Sequence, residues 1–335
     1  MLAFIRDALT CWLCVLFTCS GAAMAGVAPT VDQDATLPAV TLKGYRYHAE
    51  ILGPRDAPVV IVLHGGPGAD YRYLEPLRAL ADRYRVVFYD QRGTGLSARV
   101  PAQAITPDSF IEDLDDWVEH VRQPGQPVML VGHSWGAMLA SVYLGRHPQK
   151  VARAVLAEPG FLDASTASAF TQPRWPGWHA LWAIARAWLG QWLVSTDGDA
   201  YARADWFYSQ ILLDMQPREN LCNGELPPVQ MWRAGSSNIE ATIGRMQREP
   251  QWAQSLSFRV GVEQFRKPVQ FLVGSCSAIT GAAQQRLHIA HFANAQMHEV
   301  AAAGHYLFND QPQSSVAAVR VFLDGEARVA TRPDQ

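Results

Sequence analysis

Charge of one sign is what this 335-residue chain lacks: 28 Lys and Arg stand against 31 Asp and Glu, a formal net charge of -3. No basic stripe and no lysine run occurs, which argues against nucleic acid or an anionic membrane as a partner. No internal repeat and no low-complexity tract is present, which excludes solenoids and biased disordered segments. Long apolar runs are missing too. The one near the start, Ala8 to Phe17, is short for a transmembrane helix. Cysteine is sparse, five in all, and Cys11, Cys14 and Cys19 fall within residues 1–25.

Residues 1–25 read as an export signal. Arg6 and the amino terminus give a weak positive start, Ala8 to Phe17 is the apolar stretch, and Ala23-Met24-Ala25 is a small-x-small cleavage site. Cleavage is expected after Ala25, placing the protein in a periplasm or outside the cell. Leu16-Phe17-Thr18-Cys19 loosely resembles a lipobox, so a lipid on Cys19 or a retained signal is the route to membrane contact. Cys222 and Cys276 then remain in an oxidising compartment. They can form one disulfide or stay as two separate buried thiols. Residues 326–335 are polar and expected to fray.

What is present is a motif. Val128-Met129-Leu130-Val131 runs into Gly132-His133-Ser134-Trp135-Gly136. A serine with glycine two before and two after, between a strand and a helix, is a nucleophile elbow. The backbone turns so sharply there that a side chain on Gly132 or Gly136 would collide with its neighbours. The turn lifts the Ser134 hydroxyl out of the sheet and leaves the Trp135 N–H at a helix N-terminus, aimed at a developing oxyanion. Upstream, Val59 to Leu63 leads into His64-Gly65-Gly66-Pro67-Gly68, a turn able to bring the Gly66 N–H to the same oxyanion. Val86 to Tyr89 leads into Asp90-Gln91-Arg92-Gly93-Thr94-Gly95-Leu96-Ser97.

Apolar runs alternate with helical patterns through most of the chain. Val40 to Ile51 should form early antiparallel strands. Strands are expected at Val59, Val86, Val128, Ala152 to Ala157, Val269 to Val273 and Gln296 to Ala301. Helices are expected at Tyr73 to Arg83, Ser109 to Val121, Trp135 to Arg146 and Pro312 to Leu323. This predicts an α/β-hydrolase fold, a mostly parallel sheet with helices on both faces. The alternation stops between Phe161 and Arg266, where His179 to Leu193 and Ala200 to Met215 read as helices. The predicted layout is a core over 26–160 and 267–325, with an inserted helical cap over 161–266. Eight of eleven tryptophans lie in that insertion: Trp175, Trp178, Trp182, Trp188, Trp192, Trp206, Trp232 and Trp252. Most are expected to be core, with one or two walling the pocket.

The series His-Gly-Gly-Pro-Gly, Asp-Gln-Arg-Gly-x-Gly-x-Ser and Gly-x-Ser-Trp-Gly resembles the proline iminopeptidase family of serine peptidases. The resemblance is strongest from Pro58 to Ala140 and resumes from Pro268 to Pro312. It implies Ser134 as nucleophile, with His305, in Ala303-Gly304-His305-Tyr306, as base directly after the last strand. His133 is expected to point away from the elbow, His64 to be structural, and Asp90 and Arg92 to be scaffolding. His288, His291 and His298 show no metal-ligand pattern.

The acid departs from the family. Its usual aspartate follows the strand at Val269 in a Gly-x-x-Asp context; here the run is Gly274-Ser275-Cys276-Ser277, and no carboxylate occurs between Glu263 and Glu299. Serine cannot stabilise an imidazolium as a carboxylate does. Glu158, at the end of the strand Ala152 to Ala157, is the candidate replacement. Certain haloalkane dehalogenases take their acid from that strand, and its carboxyl end is where ligand sites of such sheets lie. Asp163 is the reserve, and a carboxylate that anchors the cap is the other reading of Glu158.

The implied reaction is acyl transfer to water with no cofactor and no metal, on a small-molecule or short-peptide substrate. A peptidase releasing N-terminal proline needs carboxylates for the substrate ammonium. The family commonly presents a Trp-Glu pair for this, whereas this chain has Trp232-Arg233, assigned here to the substrate pocket. Arg233 would repel an ammonium, and Glu225 and Glu240 are the available substitutes. An esterase or amidase is the alternative. A degenerate hydrolase that only binds a small molecule is the reading from another class.

Overall fold

The computed structural model describes residues 26–171, 177–213 and 216–325. The expected export signal (1–25) with its three cysteines, Trp175, Met215 and the expected tail (326–335) lie outside the described residues. Eight strands form one sheet in the order β1-β2-β4-β3-β5-β6-β7-β8. They are β1 (Ala39–Leu42), β2 (Tyr45–Leu52), β3 (Val59–Leu63), β4 (Arg85–Tyr89), β5 (Val128–His133), β6 (Val151–Ala157), β7 (Val269–Gly274) and β8 (Ala295–Val300). β1 pairs antiparallel with β2, and β2 antiparallel with β4; every other pairing is parallel.

The central strands are apolar on both faces because both faces are covered. All five residues of β3 are buried, and one hydrophobic cluster lies on each side of the sheet. Helix α1 (Pro107–Val121) turns Phe110, Leu114, Trp117 and Val121 inward at helical spacing. Thr106 caps it in a reciprocal pair with Ser109. The helix expected from Tyr73 to Arg83 is instead a 3-10 helix, Arg72–Asp82. Pro76 lies inside it, and a proline ring removes an N–H and crowds the α-helical turn before it.

The segment between β6 and β7 carries the helices α3 (Ala164–Thr171), α4 (Gly177–Gly190) and α5 (Ala202–Ile211). Its seven described tryptophans are not core. Trp178 and Trp182 are each 75% exposed, and Trp188 and Trp192 are exposed as well. Trp206, Trp232 and Trp252 are half-buried. The reason is how α4 packs. Its inward face is Ala180, Ala183 and Ala187, and a Cβ at Gly190 would lie 2.5 Å from the Trp206 ring. Small residues bring α4 and α5 close together, and the large rings of α4 turn outward. Among the described residues, no helix is long and apolar enough to cross a membrane.

Helix α2 (Trp135–Arg146) follows β5 directly and sits hard against β3. A Cβ on Gly136 would lie 2.1 Å from the Leu63 carbonyl oxygen. Gly136→Ala is therefore expected to cost about 3 kcal/mol of stability, because backbone and not a flexible side chain must move. Urea denaturation measures it; an unchanged midpoint at equal slope would show that α2 has slack.

Candidate active site

The site lies at the carboxyl ends of β5, β6, β7 and β8, where four successive loops converge. Ser134 has φ +53, and its N–H donates to the Ala157 carbonyl at 2.9 Å. A non-glycine residue in the left-handed region is strained, and neighbours must hold it there. Trp135 opens α2, where N–H groups lack intrahelical partners. Gly66, at φ +124, lies in the turn after β3. A Cβ there would sit 2.6 Å from the Gly68 nitrogen, so the turn requires glycine.

β6 lies between β5 and β7, so Glu158 emerges between the elbow and the loop after β7. It is fully buried at φ +43. Oε1 accepts the Gly274 N–H at 2.7 Å. Oε2 accepts the hydroxyls of Ser277 at 3.0 Å and Thr280 at 2.6 Å, and lies 2.7 Å from His305 Nδ1. Ser277 thus occupies the loop position where the resemblance expects an acid, and donates to the acid that comes from the neighbouring strand.

His305 is held by its backbone as well as its ring. Its N–H donates to the Asn220 carbonyl at 2.7 Å, and its carbonyl lies 2.7 Å from His133 Nε2. His133 Nδ1 accepts from Tyr73 Oη at 2.8 Å, and that hydroxyl accepts the Gly65 N–H at 2.6 Å. Burial pushes the His133 pKa well down, so its ring is neutral. The expectation that His133 points away is corrected: its ring centroid is 4.7 Å from that of His305, and it lines the cavity with Ser134. Gly66, Ser134 and His305 all border this cavity, of about 430 Å³, whose roof comes from the cap.

The α/β hydrolase fold family model matches residues 58–312. The chain belongs to the α/β hydrolase family. A proline iminopeptidase from Lactobacillus helveticus is 35% identical over 120 residues, 34% of this chain and 40% of the relative. A cis-3-alkyl-4-alkyloxetan-2-one decarboxylase from Xanthomonas campestris is 32% identical over 164 residues, 46% of this chain and 51% of the relative. The chain thus matches about half or less of the length of these curated relatives. Among solved structures, a proline iminopeptidase-related protein from Thermus thermophilus superposes with a TM-score of 0.56 at 22% identity. That match covers 85% of this chain and 96% of the other, and shows the shared fold.

Other residues of this family member take structural places. Asp163 caps α3 through the Thr166 N–H at 3.1 Å and pairs with Arg259, which together with the Ser165 and Thr166 hydroxyls holds its carboxyl below the usual range despite partial burial. His64 donates from Nδ1 to the Gly65 carbonyl, accepts the Gln91 N–H at Nε2, and is kept neutral by burial. Asp90 accepts the N–H groups of Tyr71 and Leu96, and Arg92 pairs with Asp113. No group of His, Cys, Asp and Glu among the described residues is arranged to hold a metal.

Trp232 and Arg233 do not border the cavity, a correction to their assignment. Arg233 is fully buried and paired with Asp199 and Asp205 at 2.7 Å each, because an internal guanidinium requires such partners. Trp232 packs against His48 and Tyr71, and its backbone N–H donates to Asp70 at 2.6 Å. Glu225 and Glu240 are exposed.

Sequence reasoning missed Thr280 and Asn220. Thr280 bridges the pair, 3.1 Å from His305 Nδ1. Asn220 Oδ1 accepts the N–H groups of Ile279 and Thr280 at 2.8 and 3.1 Å. The loop run Ser275-Cys276-Ser277-Ala278-Ile279-Thr280, rich in hydroxyls where an acid is absent, was the available signal for Thr280. Nothing local marks Asn220. Beside it, Cys222 and Cys276 form a disulfide with Cα atoms 5.1 Å apart, which ties the cap to the loop after β7. The bridge spans 54 residues, so replacing both cysteines by alanine is expected to cost about 4 kcal/mol by chain entropy. Equilibrium denaturation with and without reductant measures this; equal midpoints would contradict it.

Proposed function

We propose that this α/β hydrolase is an exported serine hydrolase that cleaves acyl substrates through a covalent acyl-enzyme on Ser134. The observation that carries this reading is the 2.7 Å contact between Glu158 Oε2 and His305 Nδ1. It gives the histidine the carboxylate partner that a base in this position needs. With Nδ1 held by Glu158, Nε2 is left to take the Ser134 proton. Ser134 Oγ then bonds to the substrate carbonyl carbon. The Gly66 and Trp135 N–H groups receive the negative charge on its oxygen. The bond to the leaving alcohol or amine breaks, and that group takes the proton from His305. Water, deprotonated by the same nitrogen, attacks the acyl-enzyme; Ser134 regains its proton and the free acid leaves.

Cleavage of an ester or an amide with an uncharged acyl part fits the site best, because no carboxylate among the described cavity residues awaits an ammonium. The second reading is a proline iminopeptidase-like aminopeptidase, favoured by the 35% identity to the Lactobacillus helveticus protein. The two curated relatives described above bear names of different activities, so likeness to them supports hydrolase chemistry more than any one substrate. Export is supported by the apolar run Ala8 to Phe17 followed by Ala23-Met24-Ala25.

Replacement of Glu158 by Gln keeps shape but removes the charge that stabilises an imidazolium. It is expected to lower kcat by about 10³–10⁴ with KM little changed, as for an orienting carboxylate elsewhere. Activity within a few-fold of the parent would remove Glu158 from this role. A fluorophosphonate probe should label the folded protein and fail to label Ser134→Ala. No labelling of the parent would instead indicate a binder without chemistry.

A further inference from the structure

The cavity over Ser134 has a chemical character of its own. Its wall is built largely from aliphatic and aromatic side chains of the cap: Ile184 from α4, Phe207 and Ile211 from α5, Leu212 just beyond it, and Ile239 and Ile243 from the helical segment 236–244. The polar groups offered by the cap to the same space are uncharged, among them the amides of Gln216, Gln230 and Gln247. No Asp, Glu, Lys or Arg is among the described lining residues. Asp214 lies outside the described residues, between Leu213 and Gln216.

The nearby charges among the described residues are spent elsewhere. Arg233 is enclosed by Asp199 and Asp205, which also binds Arg99 at 2.8 Å. Glu240 faces solvent beside Arg248. An ammonium entering this space would lose its hydration without gaining a carboxylate from the described lining residues, which is costly. An aliphatic chain would lose only unfavourable contact with water. The volume, about 430 Å³, falls in the range of small-molecule pockets, roughly 300–1,000 Å³.

Resting on the reaction proposed above, we propose that the cap cavity selects an uncharged aliphatic acyl chain of several carbons, and that Ile184, Ile211 and Ile243 set its length. The acyl group of an ester seats its chain against these residues while its carbonyl lies at Ser134. Chain length then enters the specificity directly. Each methylene moved from water into such a wall raises kcat/KM by up to about fourfold.

The test uses the whole protein and the p-nitrophenyl esters of acetate, butanoate, hexanoate and octanoate, beside prolyl-p-nitroanilide. Hexanoate is expected to exceed acetate in kcat/KM by at least about tenfold, within the ceiling of four added methylenes. Ile243→Trp, which fills the cavity, should bring the hexanoate-to-acetate ratio towards one. Ile243→Ala, which enlarges it, should move the optimum towards octanoate and serves if the tryptophan variant does not fold. A flat or falling chain profile, a preference for the prolyl anilide, or a ratio untouched by a folded Ile243 variant would overturn the assignment. Fluorophosphonate labelling of Ser134, run on the same samples, separates the two claims. Labelled protein with a flat profile refutes the acyl-chain pocket alone, and unlabelled protein without esterase activity refutes the reaction together with it.

Discussion

The contact between Glu158 and His305 is the interaction on which the rest of the site depends. Glu158 is a fully buried carboxylate, so its charge must be met from every side. Three donors besides the histidine do so: the Gly274 N–H and the hydroxyls of Ser277 and Thr280. Each hydrogen bond to a charged group contributes about 1.5–3 kcal/mol. That offsets the roughly 1–2 kcal/mol of the left-handed conformation at φ +43. The strain has a geometric purpose. β6 ends between β5 and β7, and the left-handed turn carries the side chain sideways, into the loop where an acid would otherwise arise from β7 itself.

The cap is joined to this pair as well as lying over it. Asn220 accepts from His305 through its backbone and from the Thr280 loop through its side chain. The Cys222–Cys276 bridge fastens the same short segment two residues later. A third tie runs from the turn after β3, where Asp70 accepts the N–H groups of Trp232 and Arg233. The cap therefore grips the turn after β3, the loop that carries His305, and the loop after β7 whose hydroxyls bind Glu158. Closing the cavity and aligning Glu158 with His305 are one structural task in this protein.

The core was legible because its signals are local. Buried parallel strands write unbroken apolar runs, as at Val59 to Leu63, and the elbow writes its glycines where a Cβ cannot fit. The parting of acid from family pattern was legible as an absence, since no carboxylate follows β7 before Glu299. The cap was not legible in the same way. Its helices meet through Ala180, Ala183 and Ala187 and turn tryptophans outward, against the usual inference from ring size. Arg233 reads as a pocket charge until the fold brings Asp199 and Asp205 around it. Asn220 reaches Ile279 and Thr280 across 59 and 60 residues, Thr280 reaches Glu158 across 122, and no window of sequence holds them together.

The central claim is that the carboxylate serving His305 has moved from the loop after β7 to the end of β6. Returning it tests this most directly, because the Ser277 hydroxyl is 3.0 Å from Glu158 Oε2. The measurement is kcat for the double variant Glu158→Gln/Ser277→Asp beside Glu158→Gln alone, on one chromogenic ester. Recovery of at least about tenfold by the returned aspartate is the expected result, a small part of what an orienting carboxylate contributes. A Glu158→Gln protein as active as the parent, with no response to the aspartate, would contradict the account.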